Sequence, residues 1–196
     1  MNIKLFSVIF LLFAGIPMVS VTAEVNENER SADMANAPGT LSISFNYARN
    51  DGKGSNQYAI WIEDAQGNVV KNVYVTNFTG KGGHATRPVV PTWVKKASPA
   101  QLTESQLDAF TGATPVSGLQ TYTWDGTNNN GEVVSNGNYR FFVEATLFGP
   151  NRVVFSGSVK VGAEKQESIP VTTELFAEAM DNRDMLTDVK ATYMPK

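Results

Sequence analysis

The chain has 196 residues, of which 42% are hydrophobic and 18% charged, and its net charge is −3. This length suits one domain with a real hydrophobic core. A mildly acidic chain lacks the basic face that nucleic acid requires, so we expect no nucleic-acid partner. One His and no Cys leave too few ligands for a zinc site and argue against His-based catalysis. We therefore expect no metal site and no enzymatic activity.

The first 23 residues are typical of an export signal. Lys4 supplies a positive start, residues 5–13 form an apolar run, and residues 21–23 have the small side chains that a signal peptidase requires. The run is followed by Gly and Pro and is shorter than a membrane span. We predict a cleaved signal peptide over residues 1–23, a flexible linker over 24–39, and a periplasmic product without stable membrane insertion. Its 15 basic and 19 acidic residues give a net charge of −4.

From residue 40 onward, apolar and polar residues alternate in short segments that are separated by Gly, Asn and Pro. In one segment Ile60 and Ile62 share a face, and Trp61 lies on the other. Seven to nine such strands predict an all-β fold, an antiparallel immunoglobulin-like β-sandwich formed by residues 40–196. The predicted strands are 41–47, 58–63, 69–76, 120–124, 139–147, 152–161 and 186–193, and residues 169–178 are ambiguous between strand and loop.

A short helical insertion is predicted near residues 91–110. Residues 91–96 favour one helical turn. Ser98, followed by Pro, is typical of a helix start and predicts a second helix over 101–110. Gly112 would end that helix.

The strongest candidate for chemistry is the segment 108–114, which reads Asp-Ala-Phe-Thr-Gly-Ala-Thr. It resembles the acceptor pattern of covalently flavinylated extracytoplasmic proteins: Asp, two residues, Ser/Thr, Gly, Ala and Ser/Thr. The resemblance implies that a separate flavin transferase attaches FMN to the hydroxyl of Thr114. The recognition loop would consist of Asp108, Thr111, Gly112 and Ala113.

The residue types suit that chemistry, since Gly112 and Ala113 have little or no side chain and let backbone and phosphate approach closely. Trp93, Phe110 and Tyr122 lie near the segment in sequence and would offer an aromatic face to a flavin ring. The alternative is structural: Gly112 caps a helix, and the three aromatic residues belong to the core.

A second oxygen-rich segment, residues 125–132, contains Asp, Asn and Glu side chains of the kind that bind calcium. Gly131 falls one position late for an EF-hand loop. We interpret this segment as an Asn/Gly turn.

Two further resemblances concern the fold and the family. Trp124-Asp125-Gly126 and the Gly-Asn-Tyr sequence at 137–139 resemble the immunoglobulin-like domain of the flagellar hook-capping protein, within residues 122–145 only. This similarity speaks to fold and implies no flagellar role.

Almost the whole mature chain resembles a predicted periplasmic family, domain-of-unknown-function family 2271. The resemblance implies electron transfer in the cell envelope, because that family often occurs beside flavin transferases and PepSY-type membrane reductases. We therefore expect an FMN carrier whose partners are a flavin transferase and a membrane redox protein. The alternative is a non-enzymatic immunoglobulin-like binding or structural module. The matching segments are 58–64, 87–93, 108–114, the hairpin that begins at Trp124, and 188–193.

Overall fold

The computed structural model describes residues 38–50, 55–148, 151–176 and 184–196. The predicted signal peptide and nearly all of the predicted linker lie outside the described residues. The described part is mostly strand and forms two sheets that pack as a sandwich. The strands are β1 (Thr40–Tyr47), β2 (Gln57–Glu63), β3 (Val69–Thr76), β4 (Thr111–Gly112), β5 (Gly118–Trp124), β6 (Gly137–Phe148), β7 (Asn151–Val161), β8 (Glu167–Ile169), β9 (Thr172–Phe176) and β10 (Leu186–Met194).

The smaller sheet has the strand order β5-β1-β10-β8, and the larger has the order β4-β3-β2-β6-β7-β9. Neighbouring strands are antiparallel, except that β4 runs parallel to β3 and pairs Thr111 with Val75. The predicted all-β sandwich is confirmed. Its described part contains ten strands instead of seven to nine, because β4 and β8 are too short to produce an alternating pattern.

The main core lies between the two sheets. Alternate residues of β1 and β2 point into it, and Ile43, Phe45, Ile60 and Ile62 are fully buried. Each such side chain contributes about 1.5–3 kcal/mol by its removal from water. The same two-residue period places Trp61 on the opposite face of β2, as the sequence predicts.

That opposite face is also buried, because the helical insertion covers it. Trp61 stacks on Phe142 with ring centroids 5.0 Å apart, and Val90 and Trp93 of the insertion complete a second cluster. Glu144 lies under the insertion with no exposed surface. A strand that is covered on both faces explains why β2 is buried at every position.

Glu144 connects the insertion to the sheet. Its two carboxylate oxygens accept hydrogen bonds from the backbone N–H groups of Thr92 and Trp93, at 3.1 and 2.9 Å. Arg152 lies 3.3 Å away across the sheet and pairs with the same carboxylate. Burial raises the pKa of Glu144, against the opposing effect of these donors.

The helical insertion is confirmed, but its second helix differs from the prediction. The helices are α1 (Asn77–Gly80), α2 (Pro91–Ala97) and α3 (Glu104–Asp108), with 3₁₀ turns at Gly83–Ala85 and Pro99–Gln101. Ser98 ends α2 with a left-handed φ of 46°, and the 3₁₀ turn begins directly after it with Pro99 at the first position, but the Ser98 side chain makes no capping hydrogen bond. Thr103 caps α3 in a reciprocal capping box with Gln106. Gly112 ends no helix and instead belongs to β4.

The ambiguous segment 169–178 contains a change of sheet. Residue Ile169 ends β8 in the smaller sheet, and Thr172 begins β9 in the larger one. Pro170 lies between them, where a residue without an N–H group is tolerated. Residues 177 and 178 lie outside the described residues.

Candidate functional site

The segment 108–114 runs along the edge of the larger sheet. The backbone N–H of Val75 donates to the carbonyl of Phe110 at 2.9 Å, and β4 continues this contact along β3. The chain leaves the sheet edge after Gly112, so Ala113 and Thr114 begin the connection to β5.

Asp108 is paired on the protein surface. Its carboxylate accepts a hydrogen bond from the Lys81 ammonium group, and both side chains are about half exposed. This hydrogen bond and the charge of Asp108 raise the pKa of Lys81. Water and salt screen an exposed pair of this kind, so it contributes little to stability. Its main effect is to hold the end of α3 beside the loop that follows α1.

Thr111 and Gly112 are packing positions. The hydroxyl of Thr111 is buried, and no described residue serves as its hydrogen-bond partner. A Cβ placed on Gly80 would lie 2.2 Å from that oxygen, and one placed on Gly112 would lie 2.5 Å from the Tyr74 ring. These positions require close approach to α1 and to the aromatic ring of β3.

Thr114 is half-buried and lies on the rim of an open cleft of about 740 Å³. We call this the Thr114 cleft, and its lining includes Arg49, Phe78, Lys81, Thr86, Ala113 and Thr114. The five residues predicted from the motif are therefore together in one segment. Ala113 and Thr114 line the cleft, and Asp108 pairs with Lys81, which also lines it. Thr111 and Gly112 do not line the cleft and instead pack against Gly80 and Tyr74.

The cleft combines basic side chains with an exposed aromatic ring. Arg49 and Lys81 lie on its wall. The Phe78 ring is 38% exposed, and the guanidinium of Arg87 lies 5.7 Å from its centroid. Guanidinium and ammonium groups are the usual partners of phosphate oxygens. The site can therefore accommodate an anionic group near the Thr114 hydroxyl and a flat apolar group near Phe78.

None of the three aromatic residues predicted to support a flavin ring lines this cleft. Trp93 is fully buried in the second cluster, Phe110 packs against that cluster, and Tyr122 packs against the main core. The aromatic residue of the cleft is Phe78, which the sequence analysis missed. The sequence offered one signal, a Phe within the polar Asn-Phe-Thr-Gly segment that directly follows β3.

Comparison with family models shows to which protein family the chain belongs. The family model described as "Predicted periplasmic protein (DUF2271)" matches residues 40–176, more than half of the chain. The chain belongs to this family. Searches of curated proteins and of solved structures found no match. The resemblance noted over residues 188–193 lies beyond the matched range.

The DUF2271 description agrees with the predicted periplasmic location at that level of detail. Within the described ranges, no helix has the length and apolar character needed to cross a membrane. The proposed signal peptide falls in residues that the structure does not describe.

His84 is the single histidine of the sequence, and it contacts the backbone of α1. Its Nδ1 atom lies 3.0 Å from the carbonyl oxygen of Thr79, in the turn beside the Thr114 cleft. Across the described ranges, no group of three or more His, Asp or Glu side chains is placed to hold a metal ion.

A cluster of tyrosines lies beneath the segment that carries Thr114. The hydroxyls of Tyr58 and Tyr122 are 2.5 Å apart, and the Tyr74 ring lies 4.8 Å from that of Tyr122. Burial is the main cause that raises the pKa of all three phenols. The cluster connects the main core of this DUF2271 domain to the sheet edge at Gly112.

Proposed function

We propose that this protein is a periplasmic carrier of covalently bound FMN, attached through a phosphoester to Thr114. The observation that carries the proposal is the position of Thr114 on the rim of an open cleft that also presents Arg49, Lys81 and Phe78. A second enzyme can reach a hydroxyl in such a position, whereas it could not reach one packed in the core.

The residues of the cleft fit the two ends of FMN. Arg49 and Lys81 would bind the phosphate oxygens next to the Thr114 hydroxyl. Phe78 would pack against the flavin ring, which has an apolar face. Thr111 and Gly112 would fix the loop from below, and Asp108 would present its carboxylate to the transferase or hold Lys81 in place.

Attachment would proceed by group transfer from FAD. The Thr114 oxygen attacks the phosphorus on the FMN side of the pyrophosphate, a new P–O bond forms, and the P–O bond to the AMP half breaks. AMP leaves, and the hydroxyl proton passes to a base of the transferase. The protein itself supplies an accessible hydroxyl and a rigid loop, and the transferase supplies the catalysis.

The proposed role is transfer of electrons in the cell envelope, with a membrane redox protein as partner. Bound FMN would supply one- and two-electron chemistry. This protein would hold the cofactor and exclude water from one side of it, and it would not itself convert a substrate.

The test is co-expression with a flavin transferase, followed by a denaturing gel and mass spectrometry. We expect flavin fluorescence on the protein band and a mass gain of one FMN. Thr114→Ala should lose the label, and Thr114→Ser should retain it. Thr86→Ala is the matched control, since Thr86 lines the same cleft and its hydroxyl donates to the Gly83 carbonyl. Its labelling should equal that of the wild type.

Two outcomes would overturn the proposal. One is an unlabelled wild-type protein in cells where the transferase labels a known acceptor. The other is equal labelling of wild type and Thr114→Ala, which would place the modification elsewhere.

The alternative function is a non-enzymatic binding module. It is supported by Val116 and Leu119, which are 78% and 70% exposed at the edge strand β5 and just before it. Exposed apolar groups at a sheet edge suit pairing with another chain. A stable envelope partner that binds the wild-type protein and Thr114→Ala equally, but does not bind a Leu119 variant, would favour this module over the carrier.

A further inference from the structure

A second cavity lies between β3, the helical insertion and the Asn-rich turn at residues 128–131. Its volume is about 310 Å³, at the lower end of the range for ligand pockets. We call it the amide pocket. Its lining includes Lys71, Asn72, Leu102, Gln106, Phe110 and Asn129. It is distinct from the Thr114 cleft and shares no lining residue with it.

Asn72 forms the floor of the amide pocket in a fixed orientation. The side chain is only 5% exposed, and its Oδ1 atom accepts a hydrogen bond from Nε1–H of Trp93 at 2.8 Å. An indole nitrogen can only donate, so the oxygen of the amide must face Trp93. The Nδ2 group therefore points the other way, and no described residue accepts a hydrogen bond from it. This nitrogen is therefore available to donate to an acceptor that enters the pocket.

Asn129 is oriented by the same logic. Its Oδ1 atom accepts from the backbone N–H of Asn72 at 2.8 Å, and its own N–H donates to the Val70 carbonyl at 2.9 Å. Because the oxygen already accepts a hydrogen bond, the Nδ2 group of Asn129 is the one that can donate to a ligand in the pocket that this residue lines. Two amide nitrogens are thus fixed as donors along one wall.

Lys71 adds a positive charge to that wall. Its ammonium group donates to Thr127 Oγ1 at 3.1 Å and to the Asn128 carbonyl at 2.8 Å. Both partners are neutral, and Lys71 also interacts electrostatically with Asp125, whose carboxylate accepts from the same Thr127 hydroxyl. No Asp or Glu side chain is among the residues that line the pocket. The wall is therefore rich in donors and carries one ammonium group.

Apolar residues also line the pocket, namely Leu102, Ala109 and the partly buried Phe110. An aromatic and an aliphatic side chain together with amide donors match a ligand that has a flat apolar body and an acceptor group at one end.

We propose that the amide pocket binds a small carboxylic acid with an aromatic or other flat apolar body. The carboxylate oxygens accept from Nδ2 of Asn72 and Asn129 near the Lys71 charge, and the apolar body packs against Phe110 and Leu102. A carboxylate is favoured over a cation because the wall presents donors and a positive charge. This site is independent of FMN attachment.

The experiment is an NMR titration of the ¹⁵N-labelled protein with benzoate as the probe. We expect shifts at the Asn72 side-chain amide and at the Trp93 Nε1–H, which reports on the same amide through its hydrogen bond. Benzylammonium has the same ring and the opposite charge, and it should produce no shifts there. Acetate has the carboxylate without the ring, and it should bind at least about tenfold more weakly than benzoate, because it lacks the contact with Phe110 and Leu102.

Two variants test the donors. Asn72→Asp keeps an oxygen for Trp93 but replaces the donor with an acceptor, so benzoate binding should weaken about tenfold or more. Asn129→Asp makes the same change at an exposed residue, where folding is not at risk, and should also weaken binding. Asn138→Asp, exposed on β6, is the control for net charge and should bind as the wild type does.

The proposal fails if benzoate leaves the Asn72 and Trp93 resonances unchanged up to millimolar concentration, or if benzylammonium shifts them equally. It also fails if Asn129→Asp, shown to be folded by its spectrum, binds benzoate as tightly as Asn138→Asp. The titration is repeated with Thr114→Ala, whose expected result is identical. Benzoate binding and FMN attachment therefore succeed or fail separately.

Discussion

The hydroxyl of Tyr74 donates a hydrogen bond to the carbonyl of Ala113 at 2.7 Å, one residue before Thr114. The same hydroxyl lies 3.3 Å from the carbonyl of Gly112. Tyr74 belongs to β3, and its ring fills the space in which Gly112 lacks a side chain. A residue of the rigid sheet thus holds the backbone from which the Thr114 side chain projects.

Tyr74→Phe should loosen this segment while keeping the ring in place. Loss of one hydrogen bond is expected to lower the free energy of unfolding by about 1 kcal/mol, as measured by urea denaturation. Amide hydrogen exchange at Ala113 and Thr114 should become faster, and labelling of Thr114 by a flavin transferase should become slower. Tyr139→Phe is the control, because the Tyr139 hydroxyl donates to the Ser135 carbonyl, away from the cleft. Unchanged exchange at Ala113 in Tyr74→Phe would contradict the anchoring role.

Gly80→Ala should destabilise the protein through Thr111. Alanine is favoured over glycine in a helix by about 1 kcal/mol. However, the new Cβ would lie 2.2 Å from the Thr111 hydroxyl, and such overpacking costs about 1–3 kcal/mol. Steric conflict should therefore prevail, and the melting temperature should fall.

The clash can be tested by removing the atoms responsible. Thr111→Ala in the Gly80→Ala background should restore part of the lost stability, because the hydroxyl and methyl groups that meet the new Cβ are then gone. Gly137→Ala is the control, since its nearest atom would be 4.0 Å away. If the double variant is no more stable than Gly80→Ala, the contact with Thr111 is not the cause.

The strand faces could be predicted from the sequence because a two-residue period is a local property. The opposite orientation of Ile62 and Trp61 on β2 follows directly from it, and so does the outward position of Phe142 on β6. What the period could not reveal is that both faces of β2 are covered. A Trp on a nominally outer face was the available hint.

The helical insertion was predicted less well. Its sequence contains two candidate helix starts, and tertiary packing decides which of them begins an α-helix. Ser98-Pro99 resembles a helix start, yet the Ser98 N–H donates to the Val94 carbonyl and ends α2. The true start at Thr103 was readable as the Thr-x-x-Gln capping box. The two-residue period places Glu144 on the same face of β6 as Phe142, opposite the main core, and only the tertiary contact with α2 explains its burial.

The site was predicted in part for a similar reason. The spacing within 108–114 identified one continuous segment, and the structure places Thr114 on a cleft. The parallel pairing of Thr111 with Val75 joins residues that are far apart in the chain, which no local pattern indicates. Phe78 in α1 and Arg49 after β1 are also far from this segment in the sequence, so no local pattern indicated that they line the cleft.

Glu144 should make stability fall as pH rises. Burial raises its pKa in the folded protein above the ordinary value of 4.5, so between the unfolded and folded pKa values the folded protein binds more protons. The corresponding stability is fully present below about pH 4.5 and is lost as pH increases through the folded pKa. Urea midpoints measured from pH 4 to 8 should show this decline.

Glu144→Gln should flatten that decline. The amide oxygen can still accept one of the two N–H groups from Thr92 and Trp93, but the other loses its partner, which costs about 1–3 kcal/mol. The variant should therefore be less stable at low pH, and its deficit should shrink toward pH 8. Glu174→Gln, exposed on β9, should reproduce the wild-type profile. A deficit that is constant with pH would show that Glu144 keeps one protonation state throughout.

The tyrosine cluster should resist alkaline titration until the protein unfolds. Burial raises the pKa of Tyr58, Tyr74 and Tyr122 above the ordinary value of 10, so each phenol contributes stability that is fully present below pH 10 and is lost as pH rises further. Phenolate absorbance should therefore rise only partly above pH 10, and the remainder should appear together with the loss of near-ultraviolet circular dichroism. Tyr122→Phe should remove one of the late-titrating groups while leaving the early ones unchanged. If all tyrosines ionise while the protein remains folded, the tyrosine cluster is open to solvent. The segment that carries Thr114 would then be held less rigidly than the contacts between Tyr58, Tyr74 and Tyr122 require.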